Sequence, residues 1–150
     1  MPEPMNMAAH WAASCHPNPS EVWHEWGDAL GVALLPVGRS WDAVAMPYWR
    51  MQAVAQDPQD PTLLDRAAIL ADLGRAACYV FTPTGTAEAW DVPGTSALGE
   101  DSWLVASQPG RRDRQRSTGT WVQEATGVHD PLIDADRLRE ALLRTAEVHP

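Results

Sequence analysis

The chain has 150 residues and a formal net charge of −9, with 11 arginines and no lysine. Hydrophobic residues make up 45% and charged residues 21%, a composition that folds rather than stays disordered, and the length fits one domain over residues 1–150. The acidic balance excludes an overall electrostatic grip on nucleic acid or on an anionic membrane, and the missing lysine excludes Schiff-base chemistry and a Walker-type lysine.

Residues 5–15 are alanine-rich with Trp11 on one face, which reads as a short helix. His16-Pro17-Asn18-Pro19 breaks it. Ser20 is the expected N-cap of a second helix, with Val22, Trp23 and Trp26 inside and Gly27 and Gly31 at its end. Residues 31–36 form an apolar run of strand length, residues 37–40 a turn, and residues 41–46 a second strand. Pro47 opens a helix to about Gln56. Residues 57–61 are a loop, residues 62–68 a helical turn or two, and residues 69–72 either a helix end or a strand. Residues 77–82 are the most strand-like segment, which makes Leu73-Gly74-Arg75 a hairpin turn. A short helix follows to Trp90, then a turn at residues 92–94 and a strand over residues 102–107. After a polar loop over residues 109–119 come a last strand (120–124) and a helix from an Asp134 N-cap to about Val148. Ile133 and Leu138 fit a hydrophobic staple at its start. Strands in adjacent pairs with helices between them make an α+β fold, its mixed or antiparallel sheet covered by helices on one side.

No 18-residue apolar run and no signal-peptide pattern is present, so a cytoplasmic protein without membrane contact is expected. Cys15 and Cys78 make no disulfide framework and read as reduced thiols. The bias to Ala, Arg, Pro and Trp without Lys is what the GC-rich codons of a high-GC bacterium produce.

Several clusters carry possible chemistry. Arg111, Arg112, Arg114 and Arg116 crowd four guanidinium groups into one polar loop, which can engage phosphates or stay solvated. His10, Cys15, His16 and His24 lie close in sequence but lack the paired spacing of a zinc site. The Cys15-His16 pair is no nucleophile–base arrangement, and Cys78 in a strand reads as buried. Pro83-Thr84-Gly85-Thr86 before a helix reads as a turn with a threonine cap, or as an anion site. Eight Trp is high for this length; Trp23, Trp26 and Trp103 read as core, Trp41 and Trp49 as pocket wall.

The spaced pattern W-x4-G-V-A-L-L-P-V-G-R-x-W-D begins at Trp26. Y-V-F-T-P-T-G-T-A-x-x-W spans Tyr79 to Trp90, and L-I-D-A-D-x-L-R-x-A-L spans Leu132 to Leu142. Together these resemble small actinobacterial proteins related to the N-terminal domain of bifunctional DNA primase/polymerases. The resemblance implies an RRM-like, primase-polymerase-like core. In that family, acids at a strand end hold two divalent ions, and a His or basic residue meets the nucleotide phosphates. Where the acids belong, this chain has Val44-Ala45-Met46-Pro47, with only Asp42 before them. The segment resembling the His-bearing strand, residues 76–81, has no His. Neutral side chains do not hold Mg²⁺, so the resemblance implies a degenerate relative without polymerase activity. Glu88, Asp91, Glu100 and Asp101 are the acids that chain order leaves free to gather at that strand end.

The expected function is therefore non-catalytic binding or regulation without a cofactor, directed at a nucleotide-like ligand, nucleic acid or a protein partner. The expected pocket comprises Arg39, Trp41 and Asp42, with Thr84, Gly85 and Thr86 nearby; the arginine loop would meet single-stranded nucleic acid or another anionic partner. Two alternatives stand beside it. One is a small enzyme with Asp42 or Asp72 as general base next to a His. The other is a pure interaction module, homo-oligomeric or hetero-oligomeric, working through an exposed apolar patch.

Overall fold

The computed structural model describes residues 6–111, 118–127 and 129–147. Asn6 starts α1 (Met7–Ala13) by accepting a hydrogen bond from the Ala9 amide. Asn18, not Ser20, is the cap position of α2 (Pro19–Gly27): proline takes the first helical position, where no amide hydrogen is needed, and moves the start forward. Then come β1 (Val32–Pro36), β2 (Asp42–Pro47), α3 (Tyr48–Ala55), β3 (Ile69–Asp72) and β4 (Ala77–Thr82). The chain goes on through α4 (Thr86–Ala89), β5 (Ser96–Leu98), β6 (Trp103–Ser107), β7 (Thr118–Gln123) and α5 (Ala135–Arg144). Residues 62–66 form turns, with the Asp65 amide on the Thr62 carbonyl and the Ala67 amide on the Leu64 carbonyl, and residues 69–72 resolve as strand. As expected, Asp134 caps α5 through the Arg137 amide, with Ile133 and Leu138 buried in one core.

The fold is α+β with two antiparallel sheets. One runs β5-β2-β4-β3-β7; the other is the ribbon β1-β6. Trp121 of β7 donates its indole N–H to the Ser107 carbonyl of β6 at 2.7 Å, and the Ser107 hydroxyl donates to the Gly119 carbonyl at 2.7 Å, so the sheets meet there.

Side chains alternate along each strand, and both faces of the larger sheet are buried. Ala43, Leu70, Phe81 and Trp121 turn to a core shared with α1, α2 and the ribbon. Val44, Met46, Ile69 and Val80 turn to a second core beneath α3 and α5. Helices thus cover both faces, not one. The single-sided expectation failed because β2 to β4 are apolar at nearly every position, the pattern of strands buried on both faces.

Candidate functional site

β2 begins where the turn after β1 passes under the strand pair. At Gly38 the backbone has φ +93°, and a Cβ would lie 2.4 Å from the Glu100 nitrogen, so only glycine lets this turn press against residues 99–100. Between them opens a cleft of about 400 Å³ lined by Arg39, Asp42, Thr84, Gly85, Glu88 and Glu100, among others. Four of the six residues expected there, Arg39, Asp42, Thr84 and Gly85, do meet around one cavity.

Trp41 does not join them. It is buried in an aromatic cluster, edge-on to Phe81 at 4.6 Å and stacked with Trp11 at 6.1 Å. Its position just before Asp42 sends it to the opposite face of the sheet. Thr86 is half-buried, and its hydroxyl donates to the Pro83 carbonyl at 2.6 Å. The threonine cap is absent: Gly85 is the N-cap of α4, and the capping acceptor is Asp42. Its Oδ2 accepts from the Gly85 amide at 3.1 Å and from the Ala87 amide at 2.9 Å. Asp42 is itself only 2% exposed. The amides that would hold a phosphate are filled by the chain's own carboxylate.

Glu88 and Glu100 join Asp42 and Arg39 in the lining of this cleft. Of the other acids, Asp91 pairs with Arg139 at 3.0 Å on the surface, and Asp101 lines an adjoining cavity. That cavity, about 380 Å³, shares Gly38, Arg39 and Glu100 with the first and adds Pro36, Asp101 and Trp103. Trp103 is 54% exposed, not core as its apolar strand indicated. It pairs with Pro36, and the outward positions of the ribbon (Leu34, Pro36, Trp103, Val105) form a face open to solvent.

Among the described residues, no histidine lines the Asp42 cleft. Asp72 faces Arg75 at 3.6 Å and accepts from Thr118 at 3.5 Å. Cys15 and Cys78 are unpaired and buried, and desolvation raises both thiols to about 12, so neither is a ready nucleophile. His16 accepts from the Asn18 amide and lies 3.5 Å from Glu21, while His10 packs on Trp23. Among the described residues, no group of three or more His, Cys, Asp or Glu side chains is placed to hold a metal, and no helix is long and apolar enough to cross a membrane. Trp26 is buried and donates to the Ala106 carbonyl, Trp23 packs beside it, and Trp49 is half-buried next to Arg50. In the arginine loop Arg111 is half-buried; Arg112, Arg114 and Arg116 lie outside the described residues.

Sequence reasoning missed Gly38 and Ala87, because a backbone amide and a close approach carry no side-chain signature. No family model matches the chain, and neither a curated protein nor a solved structure matches it.

Proposed function

We propose that this chain is a non-catalytic binding domain whose groove around Arg39 takes a positively charged segment of a protein partner. The observation that carries this reading is the Asp42 carboxylate on the Gly85 and Ala87 amides. With Asp42 committed to that amide pair, the cleft still offers a ligand the exposed Glu88 and Glu100 carboxylates beside Arg39. Phosphate would meet net repulsion there, whereas Lys or Arg side chains would meet attraction. Beside the acids, Trp103 and the apolar ribbon face supply an anchor of the kind that interfaces use. A degenerate relative of primase-polymerase domains fits this reading, since such a fold keeps its groove after losing its metal-binding acids. Two buried, unpaired thiols accord with a reducing, cytoplasmic setting.

A nucleotide or single-stranded nucleic acid is the competing ligand, favoured by the exposed Arg39 at the rim. Calorimetric titration of the full chain with octa-lysine, MgATP and oligo-dT separates the two. Octa-lysine binds and weakens with salt. Glu88→Gln with Glu100→Gln weakens it roughly fivefold, on the order of 1 kcal/mol; the remote pair Glu140→Gln with Glu147→Gln, which removes the same charge, does not. Binding of MgATP or oligo-dT that is lost in Arg39→Ala, with octa-lysine indifferent to the groove acids, overturns the proposal.

A further inference from the structure

α1 presents Met7, His10, Trp11 and Ser14 at i, i+3, i+4 and i+7 spacing, while Ala8, Ala9, Ala12 and Ala13 are buried. This stripe and Ala125, Gly127, His129 and Pro131 line a cavity of about 760 Å³. Gly127 fixes one end of it. Its φ is +77°, and a Cβ would lie 2.4 Å from the Met7 Cβ, so the facing loop reaches α1 only with glycine there.

We infer that this cavity is a second binding site, for a small uncharged aromatic molecule carrying a phenol- or amide-like polar edge. Its volume falls in the range of small-ligand pockets. Trp11 is half-buried and already belongs to an aromatic array: its ring lies 5.4 Å from Phe81, 6.1 Å from Trp41 and 6.3 Å from Trp121. A flat ring laid on the open side of Trp11 extends that array at the offset or edge distances aromatic pairs prefer. His10 and His129 are exposed at the rim, and an imidazole both donates and accepts hydrogen bonds. They suit a group that does the same, such as a hydroxyl or a carboxamide. Trp23, 5.0 Å from the His10 ring, holds that imidazole in place. A net charge of −9, with Asp130 directly after His129, disfavours an acid. This site shares no lining residue with the Arg39 groove, so it stands or falls independently of the proposed function.

The test is a titration of the full, isotope-labelled chain with 2-naphthol, 2-naphthoate and the saturated alcohol 2-decalol, followed by amide and indole resonances. 2-Naphthol shifts resonances over residues 7–14 and 125–131 and leaves those of residues 38–42 and 84–100 in place. It binds at least tenfold more tightly than 2-naphthoate or 2-decalol. Ser14→Trp, at an exposed position, fills the cavity and abolishes the shifts, and the spectrum itself reports whether that variant folds. His129→Ala, which leaves the aromatic array intact, weakens 2-naphthol about fivefold, the loss expected for one hydrogen bond. Shifts scattered over the surface, or equal binding of the acid or the decalol, overturn the inference. So does concentration-dependent self-association abolished by Ser14→Trp, because the cavity would then belong to a second copy of the chain.

Discussion

Asp42 ties the loop before α4 to β2. α4 is four residues long, too short to persist by propensity alone. Its first amides point at a carboxylate from another strand, 43 and 45 residues away in sequence. Hydrogen bonds from backbone amides to a charged acceptor are among the stronger ones, so Asp42→Ala should cost about 2 kcal/mol in urea unfolding. Asp42→Asn keeps a neutral acceptor and should cost less. If both variants unfold like the parent, Asp42 is not the cap. A second carboxylate, Asp57, contributes to sensitivity to acid. Arg144 donates to Asp57 Oδ2 from Nε at 3.0 Å and from Nη2 at 2.7 Å, and these hydrogen bonds hold the Asp57 carboxyl below its ordinary range. Burial opposes the shift; the Gln59 amide adds to it. Because the folded-state pKa is depressed, the unfolded chain binds the proton more tightly. The stabilisation is fully present above the ordinary carboxylate pKa of about 4 and is lost as pH falls through the folded value. Asp57→Asn should therefore melt below the parent at pH 6, with the difference closing as pH falls below the ordinary carboxylate range. A constant difference across that range would show that the ion pair does not carry it.

Among the elements, the β3–β4 hairpin carries a local misfit. Its turn, Leu73–Arg75, closes through Ala76 in the left-handed region at φ 51°. A Cβ there costs on the order of 1–2 kcal/mol, which glycine recovers in part against its greater freedom in the unfolded chain. Ala76→Gly should raise stability by about 1 kcal/mol, a rise of roughly 3 °C in the melting temperature for a chain of this size. No rise would mean that the turn is held by contacts that glycine loses. Elements with local signals were legible in the sequence: β4 by its β-branched and aromatic run, α5 by its Asp134 cap and staple. Elements made by distant partners were not. β5 has three residues and exists because Ala97 lies opposite Val44 of β2. The α4 cap was read as threonine because an Asp42 partner leaves no trace near residue 85. Trp41 and Trp103 exchanged roles for a related reason. Both sit in apolar stretches, Trp41 just before β2 and Trp103 in β6, and which side such a side chain takes depends on the layer across from it. For Trp103 that side is solvent; for Trp41 it is the aromatic core. The cleft itself was legible in four of its members, because Arg39–Asp42 and Thr84–Gly85 flank the paired strands β2 and β4.

At the scale of the molecule, the five-stranded sheet is a wall between two cores, and each core holds one cysteine. Cys15 follows α1 in the core beneath α1, α2 and the ribbon; Cys78 lies mid-strand in the core beneath α3 and α5. Burial raises both thiols to about 12, so neither reacts in the folded state, and each becomes a reporter of the opening of its own side. The two sides are not built alike. Cys78 is in the middle of the sheet order, in β4 with β2 and β3 as neighbours, and exposing it requires breaking strand pairs. Cys15 sits between two short helices, and exposing it requires only that α1 and α2 lift from Leu70, Phe81 and the ribbon. Short helices laid on a sheet open at lower free energy than its central strands. Thiol labelling in urea below the main transition, read by mass spectrometry of the two cysteine peptides, should therefore modify Cys15 well before Cys78. Trp41 and Trp11 stack across the same interface, so indole fluorescence should change together with Cys15 labelling and ahead of the main unfolding step. Equal labelling rates would mean that the wall and both cores open as one cooperative unit, with the α1–α2 layer as firmly held as the central strands.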